Sequence, residues 1–247
     1  MDKAKNIKII LGSIYILVIC VFLSFFFKYF SIQDFSSYEL LKTNINSLNK
    51  FKNTNLILTL ILFFIFTVIW VILLGFGSPI FLVGGFIFGK WIGTAVVLFG
   101  LTSGATLLYM MSNYFLRDLV INLFSSKFYY LLNQFKKNEF IYFVIYRAIG
   151  GIPFSIQNIL PILFNIKLHN YFFGSIIGLA PQLFIGTSLG AGLSKVIEQN
   201  SEMPSFFQMI LTPDIYIPIL ALAIFFIIAL IFRKKFFKKK NGAPTQN

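Results

Sequence analysis

Arg147 is the residue of this chain whose type and surroundings best fit a chemical role. It is the only charged residue between Phe140 and Ile166, in a stretch that is otherwise mostly apolar. An arginine at membrane depth costs at least about 2.5–3.5 kcal/mol, and a planar guanidinium binds phosphate through two parallel hydrogen bonds. We therefore predict that Arg147 binds a lipid phosphate. Backbone carbonyls, water or an acid such as Asp118 or Glu139 are alternative partners, and an arginine near the membrane surface would instead snorkel or cap a half-helix.

The segment after Arg147 carries polar side chains behind a proline. Pro153 begins the sequence Pro-Phe-Ser-Ile-Gln-Asn, which puts Ser155 and Asn158 in an apolar stretch. A half-helix that starts near Pro153 would direct its free backbone N–H groups at an anion. We predict that Pro153, Ser155 and Asn158 bind substrate together with Arg147. A structural use of Asn158, in which its side chain satisfies broken backbone, is the alternative.

The same segment is similar to another one 74 residues earlier in the chain. The tripeptide at 77–79 (Gly-Ser-Pro) corresponds to that at 151–153 (Gly-Ile-Pro), Phe-Gly follows both at the same distance, and a GxxxG closes each copy. An internal repeat in an apolar chain is typical of transporters built from two related halves. We therefore add Ser78 and Pro79 to the predicted substrate site. Two unrelated helices that each use GxxxG for close packing are the alternative.

The composition of the chain places these segments in a membrane. The sequence is 57% hydrophobic and 12% charged, with a mean hydropathy of +0.83. No soluble domain of 247 residues hides that much apolar surface. We therefore predict an all-α, multi-pass membrane protein, and we expect it in a bacterial cell membrane.

The charge of the chain excludes several classes of function. The net charge of +13 does not indicate nucleic-acid binding, because six cations lie in one tail directly after an apolar run. Such a tail is typical of a cytoplasmic C-terminus and fits contact with anionic lipid headgroups. Cys20 and His169 are the only residues of their types, so we expect no disulfide, metal site, cofactor or enzymatic activity. The six cations are Arg233, Lys234, Lys235, Lys238, Lys239 and Lys240.

Five apolar runs are long enough to cross a hydrocarbon core of about 30 Å, which needs about 20 helical residues. Two further pieces, Pro79–Phe88 and the Gly- and Pro-broken Ile141–Phe164, are too short or too interrupted. Such segments at matching positions indicate a transport site, so we predict an inverted repeat with two re-entrant hairpins. A pair of kinked ordinary helices is the alternative. The five predicted spans are roughly Ile7–Phe27, Asn55–Leu74, Trp91–Leu116, Asn170–Leu193 and Ile215–Phe232.

These elements divide the chain into three predicted regions. An N-terminal span and loop occupy residues 1–54, a membrane domain occupies 55–232, and a basic cytoplasmic tail occupies 233–247. The membrane domain comprises repeat one at about 75–116, an amphipathic interfacial helix at 117–139, repeat two at about 140–193 and a final span at 213–232.

Glycines, a proline and two charged residues complete the predicted set. Small residues four apart allow helix backbones to approach closely, which gives them a structural role in the hairpins. Arg117 and Asp118 close the third span, where we predict an interfacial anchor and an ion pair. The structural residues are Gly77, Gly84, Gly85, Gly89, Gly151, Pro181, Gly186 and Gly190.

The sidedness of the spans agrees with an inverted repeat, except at the N-terminus. With the basic C-terminus inside, counting spans backwards brings the two predicted hairpins in from opposite faces. The same count puts the N-terminus outside, against the preference of Lys3, Lys5 and Lys8 for the inside. Either the first run is not a simple span or these lysines are outvoted.

An ordered set of short motifs in the membrane domain is similar to that of a known family. The motifs are Ser-Pro-x4-Gly-Gly-x2-Phe-Gly-x3-Gly at 78–93, Ser-Gly-Ala at 103–105, Arg117, Arg-x5-Pro-Phe-x3-Asn at 147–158 and Gly-x2-Pro-x4-Gly-x3-Gly at 178–190. On these residues the chain resembles the DedA/VTT-domain family, also called the SNARE-associated Golgi protein family. It looks most like the Golgi-protein-like branch.

The resemblance implies two opposed re-entrant hairpins and movement of lipid across the bilayer. Eukaryotic members of the family are lipid scramblases, and some bacterial members move a polyprenyl phosphate carrier with the proton motive force. Those bacterial members carry acidic residues near the first hairpin, where this chain reads Gly-Phe-Gly-Ser-Pro at 75–79. This departure puts proton coupling through a carboxylate in doubt.

We therefore expect a membrane protein that translocates lipid, with the headgroup held between the hairpins and its phosphate near Arg147. Membrane lipids are the expected partners, and an oligomer is compatible with the sequence. One alternative is a membrane scaffold or trafficking factor that transports nothing. Another alternative is a proton-coupled transporter of a polyprenyl phosphate carrier.

Overall fold

All secondary structure that we describe is helical. The structure, a computed structural model, describes residues 12–15, 17–21, 24, 54–73, 75–123, 135, 138–149, 152–199 and 210–236. The all-α prediction is confirmed for this part of the chain. The main helices are α1 (Leu56–Ile72), α2 (Gly77–Phe115), α3 (Glu139–Ile149), α4 (Phe154–Ile159) with a 3₁₀ continuation (Leu160–Phe164), α5 (Leu168–Gln199) and α6 (Pro213–Phe236).

Helix α2 reverses its direction at Gly89. The φ of Gly89 is 74° and its ψ is 177°, a region that is essentially restricted to glycine. Two residues with the sequence separation of Gly84 and Val97 would be about 20 Å apart in a straight helix. In the structure, a Cβ built on Gly84 would lie 2.3 Å from Cγ2 of Val97. Helix α2 therefore consists of a short arm (77–88) that is folded back on a long arm (90–115).

Helix α1 runs beside the long arm of α2 in the same direction. A Cβ built on Gly100 would lie 2.9 Å from the Thr67 side chain, and one on Gly104 would lie 2.8 Å from Val71. Because the short arm runs the opposite way, α1 and the short arm form a helical hairpin, here called hairpin one (56–88). Its tip, residues 73–77, lies beside the middle of the long arm.

This arrangement differs from the sequence prediction, in which Asn55–Leu74 was a complete span and Pro79–Phe88 a separate hairpin. Helix α1 has 17 residues, about 26 Å of helix, and its end at Ile72 lies alongside the middle of α2. Among the described helices, α2 and α5 are the two that are long and apolar enough to cross a membrane. The sequence prediction missed this because length and hydropathy indicate whether a segment could cross a membrane, but they do not indicate which neighbouring helix it packs against.

Hairpin two comprises residues 139–164, and the chain turns into α5 at Asn165. Asn165 adopts the left-handed conformation, with φ 51° and ψ 48°, which asparagine tolerates better than most residues. Helix α5 then runs back along the hairpin, and the Tyr171 hydroxyl donates a hydrogen bond of 2.9 Å to the Asn158 carbonyl. The predicted hairpin at Ile141–Phe164 agrees closely with these limits.

The two hairpins make the same contacts with the long helix that follows each of them. In hairpin two, Gly174 lies against Phe143 and Gly178 lies against Arg147, with built Cβ atoms 2.7 and 2.5 Å away. In hairpin one the corresponding glycines lie against Thr67 and Val71, as described above. The GxxxG of each copy thus packs on the helix that precedes the tip. Arg147 occupies the position that Val71 holds in the first copy.

The long arm of α2 and α5 are antiparallel. The Thr94 and Thr187 side-chain oxygens are 2.5 Å apart near Gly89, and the Tyr109 and Tyr171 rings stack with centroids 4.4 Å apart near the other end. Hairpin one opens at the Gly89 end of the bundle, and hairpin two opens at the opposite end, here called the Asn165 end. The two copies are therefore inverted relative to one another.

The tips of the two hairpins meet. A Cβ built on Gly77, at the start of α2, would lie 3.5 Å from the ring of Phe154, at the start of α4. Gly77 begins the first of the two Gly-x-Pro segments of the repeat, and Phe154 directly follows the second. The repeat therefore brings its own two copies into contact midway between the ends of the bundle.

Contacts of the remaining helices fix the ends to which they run. Gly12 lies near Phe115 and Leu116, so the helix that contains residues 12–15 and 17–21 begins at the Asn165 end. Helix α6 begins at the Gly89 end, where a Cβ built on Gly192 would lie 2.1 Å from the Asp214 carbonyl, and it packs on α5 and α3. It therefore runs towards the Asn165 end.

Several predicted features lie wholly or mostly outside the described residues. These are Gly151, most of the region 1–54, the central part of the interfacial segment 117–139 and the tail beyond residue 236. In the described part of the interfacial segment, Val120 and Phe135 are buried, and Phe135 stacks on Phe164 with ring centroids 4.2 Å apart. Phe135 therefore contacts hairpin two.

Candidate functional site

Arg147 is enclosed at the tip of hairpin two and is completely buried, with 0% of its surface exposed. Its Nε donates a hydrogen bond of 2.9 Å to the Ser175 hydroxyl oxygen, and its Nη1 donates one of 2.7 Å to Oδ1 of Asn158. Arg147 and Asn158, both predicted to bind substrate, therefore lie side by side, and substrate binding itself stays a prediction. The guanidinium thereby joins α3 to α4 and to α5.

Two aromatic rings flank the guanidinium. The Arg147 Cζ lies 5.3 Å from the ring centroid of Phe143 and 4.8 Å from that of Tyr171. Cation–π contacts of this kind stabilise a desolvated cation by about 2 kcal/mol. The rings replace part of the hydration that the cation lost on burial.

Hydrogen bonds across the tip hold α4 against α3. The Tyr146 hydroxyl donates to the Gln157 carbonyl at 3.0 Å, and the Gln157 side-chain amide donates to the Tyr146 carbonyl at 3.1 Å. Since the helix is interrupted between α3 and α4, the last carbonyls of α3 lack helical partners. Gln157 supplies one, which is the structural role that the sequence prediction had considered for Asn158.

Two buried donors at the site have no acceptor among the described residues: Nη2 of Arg147 and Nδ2 of Asn158. No acid compensates the charge, because among the described residues the one salt bridge joins Lys195 to Asp214. The nearby Glu139 accepts hydrogen bonds from the Lys167 backbone N–H and the Asn170 side chain, both at 2.7 Å. The site is therefore a buried cation with spare hydrogen-bond donors. No group of three His, Cys, Asp or Glu side chains that could hold a metal ion occurs in the described part of the chain.

The other predicted substrate residues lie around the two tips. Pro153 precedes α4 and is exposed, and Ser155 is half-buried one turn before Asn158. Ser78 and Pro79 are exposed at the start of α2. The structure thus brings Arg147 and Asn158 together and leaves the remaining four on the accessible sides of the tips.

Most of the predicted structural glycines lie where a side chain would not fit. A Cβ on Gly85 would lie 2.0 Å from the Thr187 carbonyl, one on Gly190 would lie 2.1 Å from the Leu82 carbonyl, and one on Gly186 would lie 2.5 Å from the Phe81 ring. These contacts press the short arm of α2 against α5. Pro181 lies inside the continuous helix α5, which contains the predicted span Asn170–Leu193.

Arg117 and Asp118 are exposed at the Asn165 end. Nη1 of Arg117 lies 3.5 Å from the side-chain oxygens of Asn113 and Asn165. The expected ion pair between Arg117 and Asp118 is therefore not formed. Arg117 instead connects the end of α2 to the turn of hairpin two.

The sequence prediction missed Ser175, Phe143 and Tyr171 as neighbours of the guanidinium. Ser175 follows the first glycine of the second GxxxG, and a hydroxyl on the face that packs against α3 was the available signal. Phe143 precedes Arg147 by one helical turn, so its ring lies on the same face of α3. Tyr171 precedes Ser175 by one turn and shares its face of α5 for the same reason.

The comparisons with known proteins agree with this geometry. Residues 74–192 match the VTT domain, from the start of hairpin one's short arm to the last third of α5. The chain is 33% identical over 148 residues to "Transmembrane protein 41 homolog" of Dictyostelium discoideum, a match that covers 57% of this chain and 42% of that protein. The chain thus spans less than half the length of this curated relative. No solved structure matches.

An inverted pair of helical hairpins between two long apolar helices defines the class, a membrane protein built on a VTT domain. Residues 74–192 of the chain are similar to the VTT domain of the VTT/DedA family. The family resemblance predicted from the sequence motifs is thereby confirmed.

Proposed function

We propose that this protein moves phospholipid, or another lipid phosphate, between the two leaflets of a membrane. The observation that carries the proposal is the contact between the two hairpin tips, Gly77 against Phe154, together with a buried arginine that forms no ion pair with a described acid. A headgroup would pass between the tips, where Ser78, Pro79, Pro153 and Ser155 are accessible.

The hairpins suit this function if they are re-entrant. Each tip interrupts its helices, and interrupted backbone at membrane depth is tolerated only where protein or a wet cavity covers it. Two such openings from opposite ends would let water and headgroups approach the middle of the bilayer from both leaflets. Only the two hairpin tips would then separate the two openings.

Arg147 would attract the phosphate of the lipid. Its positive charge is uncompensated, and Nη2 together with the Asn158 amide offers two donors that lack acceptors. Charge-assisted hydrogen bonds to phosphate oxygens are about twice as strong as neutral ones. Because Arg147 is enclosed, the tips must part for the phosphate to reach it, and Asn158 and Ser175 would hold the guanidinium in the meantime.

We further propose that the Asn165 end faces the cytoplasm. The helix that contains residues 12–15 and 17–21 begins at that end, and α6, whose last turns include Arg233, Lys234 and Lys235, runs towards it. Cytoplasmic ends of membrane proteins carry an excess of Lys and Arg. Because α1 belongs to a hairpin, it no longer counts as a membrane span. The proposed number of spans falls from five to four, which would put the N-terminus on the same side as the C-terminus, as the N-terminal lysines prefer.

A second candidate function, a membrane scaffold that transports nothing, is favoured by the complete burial of Arg147. In that case the arginine serves only to join α3, α4 and α5. The two functions differ in what the charge contributes, because a scaffold needs the shape of the side chain and transport needs its cation.

A leaflet-exchange assay separates them. Purified protein is reconstituted into vesicles that carry a fluorescent phospholipid in both leaflets, and a membrane-impermeant reductant is added outside. We expect the reduced fraction to rise from the outer-leaflet share to nearly all of the label, and Arg147→Met to remove this rise. Arg147→Met has similar length but no charge, and its folding is checked by size-exclusion chromatography and thermal unfolding. Equal reduction with and without the wild-type protein would contradict transport, and full activity of Arg147→Met would contradict the proposed role of the charge.

A further inference from the structure

A second site lies at the Gly89 end of the bundle, away from the hairpin tips. A cavity of about 550 Å³ lies between the start of the long arm of α2 at Lys90, helix α5 and the start of α6. Its charged lining consists of Lys90, Lys195 and Asp214. Its apolar walls include Phe184, Ile185 and Ile217.

The charges in this cavity do not balance. Lys195 Nζ pairs with Asp214 Oδ2 at 2.7 Å, and both side chains are about half exposed. Lys90 has no ion pair or hydrogen-bond acceptor for its ammonium among the described residues, and its Nζ lies 5.9 Å from the ring centroid of Trp91. The cavity therefore has one net positive charge, together with the unused N–H donors of Lys195.

We propose that this cavity binds the phosphodiester headgroup of an anionic phospholipid, of the phosphatidylglycerol class. One negative charge on the lipid matches the one excess positive charge of the cavity. Lys90 contacts the phosphate, Lys195 adds a second ammonium from the opposite wall, and the first acyl carbons lie along the apolar side chains. A free anion would leave those apolar walls unused.

The position of the cavity gives the site a place in the proposed function. The Gly89 turn is where hairpin one opens, so a lipid bound beside Lys90 waits at the entrance to the tips. The inference rests on the proposed function for this role in transport, but binding itself is measured without any leaflet exchange.

Trp91 supplies the readout, because its ring contacts that of Phe184 in the cavity wall, with centroids 5.0 Å apart. Full-length protein is reconstituted into phosphatidylcholine vesicles in which a fraction of the lipid is replaced by brominated phosphatidylglycerol or brominated phosphatidylcholine. Brominated chains quench tryptophan fluorescence at contact. Trp91→Phe gives the background from Trp70, the other tryptophan.

We expect brominated phosphatidylglycerol to quench Trp91 at about fivefold lower content than brominated phosphatidylcholine, as one lysine contact near a membrane surface allows. Lys90→Gln should remove this preference and Lys90→Arg should keep it. Asp214→Asn should strengthen it, because the freed Lys195 doubles the net charge. Lys167→Gln, an exposed lysine at the Asn165 end, serves as the control and should change nothing.

Three results would overturn the site. The first is equal quenching by the two brominated lipids in the wild-type protein. The second is an unchanged preference in Lys90→Gln. The third is loss of the preference on addition of inorganic phosphate at constant ionic strength, which would indicate a free-anion site. If the protein exchanges lipid but gives any of these three results, the proposed function stands and the site does not. If it binds phosphatidylglycerol but exchanges no lipid, the site stands and the proposed function does not.

Discussion

The backbone of Gly178 lies directly against Arg147, so closely that a Cβ on the glycine would be 2.5 Å from the Cβ of the arginine. The same Cβ would lie 2.7 Å from the Val144 carbonyl, so the neighbour that it meets is backbone as well as side chain. The arginine is thus positioned by a helix that has no side chain at the point of contact. The position of the charge depends on that contact.

Gly178→Ala should force α5 away from α3. Overpacking of a tight helix contact costs about 1–3 kcal/mol, and the backbone carbonyl cannot move aside as a flexible side chain can. We expect a lower midpoint of thermal unfolding in detergent and a loss of lipid exchange. Ile177→Ala is the matched control, since the Ile177 side chain is 53% exposed and its truncation leaves the helix contact intact. Equal unfolding midpoints for Gly178→Ala and the wild type would contradict the close contact.

The turns that follow the two hairpins, at Gly89 and Asn165, should respond differently to substitution. Gly89, with φ 74° and ψ 177°, should tolerate neither alanine nor asparagine, at a cost of about 1–3 kcal/mol. Asn165 has φ 51° and ψ 48°, so Asn165→Gly should keep the turn and shift stability by less than Gly89→Ala does. Chemical unfolding of the four proteins in detergent tests the contrast. An unimpaired Gly89→Asn would show that the turn does not need the glycine-only conformation.

The charge at the tip can be neutralised without a change of shape. Asn158→Asp places a carboxylate where an amide oxygen now accepts from Arg147 Nη1 at 2.7 Å. Because an ion pair then satisfies the buried cation, we expect a higher unfolding midpoint and a loss of lipid exchange together. Asn158→Leu is the comparison, since it leaves the guanidinium with fewer partners and should lower the midpoint. Lipid exchange at the wild-type rate in Asn158→Asp would exclude a role for the free charge.

The proposed sidedness predicts which sites a membrane-impermeant thiol reagent reaches. Cys20 is the only cysteine, so Cys20→Ser provides a background for single-cysteine variants. In intact cells, Gln199→Cys at the Gly89 end should be labelled from outside, and Lys167→Cys at the Asn165 end should be protected until the membrane is permeabilised. Protection of Gln199→Cys together with labelling of Lys167→Cys would reverse the assignment.

The sequence predicted the second hairpin better than the first. In the second copy, Arg147, paired glycines and two prolines interrupt the apolar stretch, so its limits could be read from residue types. In the first copy, the residue equivalent to Arg147 is Val71, and the apolar run of α1 shows no interruption before Gly75. Hydropathy therefore could not distinguish a helix that stops midway from one that crosses.

The partners of Arg147 show the same limit. Asn158 was predicted because it follows on the same short segment, whereas Ser175 and Tyr171 come from a helix that begins after the turn at Asn165. Sequence spacing gives the face of one helix, but the choice between two helices depends on the register of their packing. Here the register is set by Gly174 and Gly178. The sequence predicted that these glycines allow close helix packing, but it did not predict that they pack on Phe143 and Arg147.

Hairpin two has a consequence for the biogenesis of the protein. Helix α3 has 11 residues, about 16 Å of helix, and it carries Arg147, so it cannot stay in a bilayer alone when it leaves the ribosome. The surface that receives it, Gly174 and Gly178 with Ser175 between them, is synthesised later as part of α5. We therefore expect the hairpin to remain at the bilayer surface until α5 is inserted and receives it. In that order of events, the last third of the VTT domain would be needed for the insertion of the middle.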